Sequence, residues 1–224
     1  MIGGLTMAQQ PRFSPENMMK MMSERRLRSF RELNQTAVKG ATVCAGSSLM
    51  ENFPINEQLM SRGIWKTVYN RGMSGFTIAQ YDEVLDICVL DLAPAKLFIN
   101  IGSNDLNLPG DTLGNLERGY RALLQRIHSA LPACEITLLE YYPCMKVDPN
   151  EPLQEGRMPR TMENVNKANE VVRSLAGEMG FRSLNLNAPL MDAEGYLRSD
   201  IALDPIHFSA AGYELVLDQL VEYL

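Results

Sequence analysis

The 224-residue sequence has no apolar run near the roughly 18 residues that a membrane span requires. Its first residues also lack the basic stretch followed by an apolar one that is typical of a signal peptide. Lysine and arginine form no long run and the formal net charge is −6, so nucleic acid is not an expected partner. These absences favour a cytoplasmic protein without a membrane span.

Cysteine is scarce as well. The four cysteines, Cys44, Cys88, Cys134 and Cys144, form no Cys-x-x-Cys pair and no spacing typical of a metal site. Three of them lie in apolar strand or helix patterns, which predicts small core residues and agrees with a reducing cytoplasm. The cysteine pattern therefore predicts neither a disulfide framework nor a metal site.

What the sequence does contain is an alternation of strand-like and helix-like segments. Strand candidates cover residues 41–45, 67–70, 96–101, 134–141 and 181–186. Segments with the apolar periodicity of helices separate them. Such alternation predicts an α/β fold with a parallel sheet and helices on both faces. We place one domain at residues 41–224, preceded by an N-terminal extension at 1–40 that carries a helix.

The helix of the extension is predicted to begin at Ser14-Pro15-Glu16 and to reach about residue 34. One face carries Met19, Met22, Phe30 and Leu33. Its other side is basic, with Arg25, Arg26, Arg28 and Arg31. We expect an outer helix packed on the domain. Binding of an anionic surface or a partner through the basic side is the alternative.

The first strand candidate ends at Gly46, and Ser47 and Ser48 follow at once. Open α/β sheets place their chemistry where buried parallel strands end. Gly46 permits a tight exit from the strand, so a serine just beyond it can stand at the rim of the sheet. A plain strand-to-loop turn has the same composition, so the motif alone leaves both interpretations open.

The chain has two histidines. His128 lies late in a strongly patterned helix and is expected at the surface, whereas His207 lies in a loop, three residues after Asp204. Histidine can take a proton from a serine hydroxyl, and a carboxylate can fix the tautomer of the ring. Asp204 and His207 could instead only shape the start of the last helix. Their occurrence with polar segments after three predicted strands favours catalysis.

Four segments, in order, resemble the SGNH, or GDSL-like, hydrolase family: AGSSLMENFP, NRGMSG, INIGSNDL and DPIHFSAAGY. The likeness runs from about residue 41 to the C-terminus, and the third and last segments are its most specific parts. It implies a flavodoxin-like, three-layer α/β/α fold with a five-stranded parallel sheet. The extension at 1–40 lies outside the likeness and receives no role from it.

Carried over by position, the resemblance implies that Ser48 is a nucleophile, His207 its base and Asp204 the residue that orients the histidine. It also implies an oxyanion hole formed by the backbone N–H groups of Ser48 and Gly75 and the side chain of Asn104. Ser47 stands where many members have aspartate, so Ser47 competes for the role of nucleophile. The implied reaction is hydrolysis of a small-molecule carboxylic ester, with no metal and no organic cofactor.

The motifs leave the substrate open. A thioesterase, a lysophospholipase or a sugar O-deacetylase would use the same residues, and a catalytically silent binding module could share the fold. The polar, proline-containing segment at about 144–160 is predicted as a surface loop near the site. Because this loop has no amphipathic stripe, we expect short acyl groups, from acetyl to butyryl. Whether the chain forms a homo-oligomer is left open.

Overall fold

In the computed structural model of the protein, which describes residues 14–146, 150 and 160–224, all strands of the sheet are parallel. They are β1 (Thr42–Gly46), β2 (Val68–Gly72), β3 (Lys96–Asn100), β4 (Glu135–Leu139) and β5 (Arg182–Leu184). Their spatial order is β2-β1-β3-β4-β5. This order is the flavodoxin-like one and confirms the predicted three-layer α/β/α architecture.

The α-helices are α1 (Pro15–Asn34), α2 (Ser48–Glu51), α3 (Ile55–Ser61), α4 (Ile78–Glu83), α5 (Leu85–Cys88), α6 (Thr112–Ala130), α7 (Met162–Met179) and α8 (Ala210–Leu220). Short 3₁₀ helices lie at Leu90–Leu92, Asp105–Asn107, Ala188–Leu190 and Val221–Tyr223. Within the described residues, no helix combines the length and the apolar character that crossing a bilayer would need.

Both faces of the sheet are buried, which explains why its central strands are largely apolar. Side chains alternate between the faces along each strand. Val43 and Ala45 of β1 join one apolar cluster, which includes residues of α4, α6 and α7. Cys44 of β1 points to the other cluster, with residues of α2, α3 and α8. The core therefore lies in two layers, one on each side of β1 and β3.

Helix α1 packs on the first of these layers, although not through the predicted face. Leu27 and Phe30 are buried in the cluster, whereas Met19, Met22 and Leu33 are 54%, 63% and 56% exposed. The prediction was therefore right for Phe30 alone among its four positions. The orientation of α1 follows from Leu27, Phe30 and Asn34. They lie on one side of the helix because they are three and four residues apart.

The predicted surface loop at about 144–160 is buried at both ends. Cys144 and Arg160 are 1% and 4% exposed, so the prediction of a surface loop was wrong for these two residues. Residues 147–149 and 151–159 lie outside the described part of the chain. Cys44, Cys88 and Cys134 are also buried, and all four cysteines are free. The interpretation of the cysteines as small core residues is thus confirmed.

Gly46 and Gly177 should respond in opposite ways to replacement by alanine. Gly46 has a φ of 154°, and a Cβ atom there would overlap the carbonyl oxygen of Asn100 on β3. Gly177 lies in α7 with open space around it. In urea unfolding, Gly46→Ala should lower the free energy of unfolding by roughly 2 kcal/mol or more. Gly177→Ala should raise it by about 0.5–1 kcal/mol. Equal effects would contradict this account of Gly46.

Candidate active site

The ends of β1, β2 and β3 meet at the carboxyl edge of the sheet. Gly46 is paired with Gly72 of β2 and with Asn100 of β3. Beyond this register the Met73 N–H donates to the Gly46 carbonyl over 2.8 Å, and the Ser47 N–H donates to the Asn100 carbonyl over 3.2 Å. The segments that follow the three strands are therefore fixed against one another by backbone hydrogen bonds.

The two serines after β1 have different surroundings. Ser48 is only partly buried, and its Oγ lies 2.8 Å from Nε2 of His207. Ser47 is fully buried, and its Oγ lies 3.5 Å from the Oγ of Ser103. The geometry thus brings Ser48 and not Ser47 to the histidine.

Asp204 lies on the other side of the histidine ring. Its Oδ2 is 2.6 Å from Nδ1 of His207, and its Oδ1 accepts the backbone N–H groups of Ile206 and His207 at 2.9 Å and 2.8 Å. Burial alone would raise the pKa of Asp204, but these hydrogen bonds outweigh it and hold the pKa below its ordinary value. At neutral pH the carboxylate is therefore ionised and acts as an acceptor for the ring N–H.

The remaining predicted residues, Asn104 and Gly75, lie on two segments that are joined to each other. Asn104 is 8% exposed, and its Nδ2 donates to the Phe76 carbonyl over 2.9 Å. An amide nitrogen carries two hydrogens, so this bond orients the group and leaves its second N–H for another acceptor. Gly75 precedes Phe76 in a turn, with a φ of 78° that suits glycine.

A serine, a histidine and a carboxylate in this order can transfer an acyl group, provided that donors hold the oxyanion. The sequence pattern of the GDSL-like Lipase/Acylhydrolase family matches residues 44–215, well over half of the chain. The chain belongs to the GDSL-like lipase/acylhydrolase family. The resemblance identified from the sequence is thereby confirmed. Helix α1 lies outside the matched residues.

Solved structures agree with this assignment. A proposed platelet activating factor of Streptococcus pneumoniae is 27% identical, with a TM-score of 0.80 over 93% of this chain and 95% of that one. A GDSL-like lipase of Bacteroides thetaiotaomicron is 16% identical, with a TM-score of 0.67 over 88% and 97%.

An acetylxylan esterase of Geobacillus stearothermophilus is also 16% identical, with a TM-score of 0.61 over 83% and 94%. At identities this low, the lipase and the esterase show the fold alone. No curated protein matches the chain.

Glu51 of this GDSL-like hydrolase was not predicted from the sequence. It lies one helical turn after Ser48, and its Oε2 accepts the Ser74 N–H over 2.7 Å. Arg26 of α1 donates to the Gly72 carbonyl over 2.9 Å, and its Nε lies 3.7 Å from the Glu51 carboxylate. Glu51 and Arg26 therefore position the segment that carries Gly75. The sequence signal that could have indicated Glu51 was its position three residues after Ser48, which places the two on neighbouring turns of a helix.

Arg160 was also missed. Its Nη2 donates to the Ser103 carbonyl over 2.8 Å and lies 3.3 Å from Oδ1 of Asn107. Burial lowers the pKa of the Arg160 guanidinium to about 10, which still leaves it charged at neutral pH. A buried cation thus supports the loop on both sides of Asn104. Its place in a polar stretch of sequence gave no sign of this burial.

His128 lies away from these residues, on the exposed side of α6. Its ring makes an edge contact with Phe181, with the centroids 5.4 Å apart. The expectation of a surface position is thus met. Among the described residues, no group of three or more histidine, cysteine or acidic side chains is placed to hold a metal ion.

Asp105, next to Asn104, should make stability depend on pH. Burial raises the pKa of its carboxyl from 3.8 to about 6, although the Ile78 N–H donates to it over 3.1 Å. Between about pH 4 and 6 the folded state therefore binds more protons than the unfolded state, and the free energy of unfolding falls as pH rises.

Replacing Asp105 by asparagine should remove this dependence. From pH 4 to pH 7 the free energy of unfolding of the wild type should fall by about 2–3 kcal/mol relative to that of Asp105→Asn. This is the energy equivalent of a shift of about two pKa units. Urea unfolding of both proteins at the two pH values measures the difference. The same stability difference at both pH values would contradict a raised pKa.

Proposed function

We propose that this protein hydrolyses carboxylic esters through an acyl-enzyme formed on Ser48. One observation carries the proposal. The Ser48 hydroxyl lies 2.8 Å from Nε2 of His207, whose Nδ1 lies 2.6 Å from the Asp204 carboxylate. Membership of an acylhydrolase family agrees with this chemistry. We do not assign the role of nucleophile to Ser47, because Ser47 is buried and its hydroxyl lies against that of Ser103.

In the first step, Oγ of Ser48 bonds to the carbonyl carbon of the ester while its proton passes to Nε2 of His207. The imidazolium that forms donates from Nδ1 to Asp204, which stabilises the positive charge and holds the ring in place. The lowered pKa of Asp204 supports this role, because the group must be ionised to accept the ring proton.

The carbonyl oxygen becomes an oxyanion in the same step. In the proposed site it accepts the N–H groups of Ser48 and Gly75 and the second amide N–H of Asn104. The bond from Asn104 to the Phe76 carbonyl supports this assignment, because it fixes the amide before substrate arrives. Donors that need no reorganisation stabilise the transition state most.

Collapse of the tetrahedral intermediate breaks the bond to the alcohol oxygen, which takes the proton from Nε2 of His207. A water molecule then attacks the acyl-enzyme while the same nitrogen removes its proton. A second collapse breaks the bond between the acyl carbon and Oγ of Ser48, which takes the proton back from Nε2, and the carboxylic acid is released. The histidine therefore acts as base and acid in turn, and the residues named here balance every proton.

Acyl length stays a prediction. The sequence favours acetyl to butyryl esters, from the polar segment at 144–160. Most of that segment lies outside the described residues. Acetylxylan esterases share the fold at 16–18% identity. An apolar groove between α1 and the segment that precedes Gly75 favours longer chains.

The two histidines offer a direct test of the proposed base. His207→Ala should lower kcat for p-nitrophenyl acetate by roughly 10³ or more, because proton transfer at Ser48 is lost. Asp204→Asn should cost less than His207→Ala, since the geometry survives while control of the tautomer weakens. Steady-state kinetics with circular dichroism as a check on folding would measure both.

The matched control is His128→Ala, which should keep wild-type kcat. An inactive His128→Ala with an active His207→Ala would show that the base is misassigned. A wild-type protein that hydrolyses neither esters nor thioesters would instead indicate a binding module on this fold.

A further inference from the structure

A groove of about 730 Å³ lies between α1 and the segment that precedes Gly75. Its size falls in the range of ligand pockets in proteins. The walls are largely apolar, and they include Met18, Met19, Met22, Phe30, Leu33 and Met73. The rest of the lining is Pro15 and the polar residues Ser23, Arg25, Arg26, Ser29, Glu51 and Ser74. The apolar part of this surface is suited to an aliphatic chain.

The groove adjoins the proposed oxyanion hole. Glu51 and Ser74, which also line the groove, are joined by the 2.7 Å hydrogen bond between the Glu51 carboxylate and the Ser74 N–H. Gly75 follows directly, and a Cβ atom on Gly75 would lie 3.1 Å from Sδ of Met19. The lining of the groove therefore reaches the residue before Gly75, while Gly75 itself faces Met19.

The chemistry of the proposed reaction indicates which half of the ester enters the groove. The alcohol oxygen must lie within hydrogen-bond reach of Nε2 of His207, which protonates it. The described lining residues come from α1, from Glu51 and from Met73 and Ser74, and none comes from the loop that carries Asp204 and His207. In the proposed reaction the alcohol would leave on the histidine side, so the acyl half of the ester is the one that could reach the groove.

Four apolar side chains that line the groove are exposed. Met18, Met19, Met22 and Leu33 are 47%, 54%, 63% and 56% exposed. Contiguous exposed apolar side chains of this kind mark binding sites. Methionine side chains are flexible and polarisable, so they can adapt to chains of different length.

We propose that this groove binds the unbranched aliphatic acyl chain of the ester substrate, so that octanoyl esters are preferred to acetyl esters. The proposal rests on the function proposed above and is opposed to the short acyl groups predicted from the sequence. It also gives α1, which lies outside the matched family residues, a role in substrate selection.

The test compares kcat/KM for p-nitrophenyl octanoate and p-nitrophenyl acetate, below the micelle concentration of the octanoate. The two esters share a leaving group, so their ratio reports the acyl side alone. Each buried methylene is worth about 0.8 kcal/mol, or roughly fourfold, as an upper bound. An octanoyl chain has about six methylene groups more than an acetyl group, and burial of only about two of them should make the wild type prefer octanoate by at least about tenfold.

The variant is the double substitution Met19→Gln with Met22→Gln, and Met21→Gln is the matched control. Glutamine has nearly the length and the helix propensity of methionine, but its amide loses hydrogen bonds to water when an alkyl chain covers it. Met21 is 56% exposed on the same helix and does not line the groove. The octanoyl-to-acetyl ratio should fall about tenfold in the double variant and stay within about twofold in the control.

A binding measurement separates this proposal from the proposed function. Calorimetry of p-nitrophenyl octanoate with Ser48→Ala should show binding that weakens about tenfold when Met19 and Met22 are also replaced. If wild type hydrolyses neither ester but this difference holds, the groove stands and the esterase proposal falls.

Several results would overturn the groove proposal. The first is a wild-type ratio at or below one, and the second is a ratio that the double substitution leaves unchanged. In either case the hydrolysis of acetate would leave the esterase proposal intact. If the double variant turns a dimer into a monomer on light scattering while the ratio is unchanged, a second copy of this chain covers the groove instead.

Discussion

The close approach of β1 and β3 at Gly46 is the constraint on which the proposed site depends. No side chain fits at this position, because a Cβ atom would overlap the Asn100 carbonyl. The contact allows the Ser47 N–H to bond to Asn100, while the Gly46 carbonyl accepts the Met73 N–H. The end of β1 is therefore held between β2 and β3, and α2 begins at Ser48 in a fixed orientation.

His207 is 159 residues further along the chain, so its place beside Ser48 needs separate support. The Tyr213 hydroxyl in α8 donates to the Leu49 carbonyl over 2.7 Å, and Nε2 of Gln58 in α3 donates to the Ala210 carbonyl over 2.9 Å. Phe53 stacks on Tyr213, with the ring centroids 4.9 Å apart. These contacts hold α8, which follows the loop of His207, against the segments that follow Ser48. Packing between these elements therefore sets the distance from Ser48 to His207.

Much of the fold could be predicted because its signals are local. Buried strands between amphipathic helices give apolar runs, and parallel strands bring their carboxyl ends to one edge whatever their separation in sequence. The juxtaposition of Ser48, Asp204 and His207 followed from that rule and from the family resemblance.

Features set by tertiary contacts could not be predicted in this way. The face of α1 was misjudged because Met19 and Met22 fit an apolar stripe, while packing against the domain selects Leu27 and Phe30. Arg160 lies in a polar stretch, and only its partners on the Ser103 loop explain its burial. The role of Glu51 depends on Ser74, which lies in the turn after β2.

The most direct test of the central claim is to trap the acyl-enzyme. The protein would be mixed with p-nitrophenyl acetate, quenched in acid within the first turnover and mapped by peptide mass spectrometry. One acetyl group should be found in wild type, on Ser48, and none in Ser48→Ala. Acetylation of Ser47, or turnover in which no serine is acetylated, would contradict it.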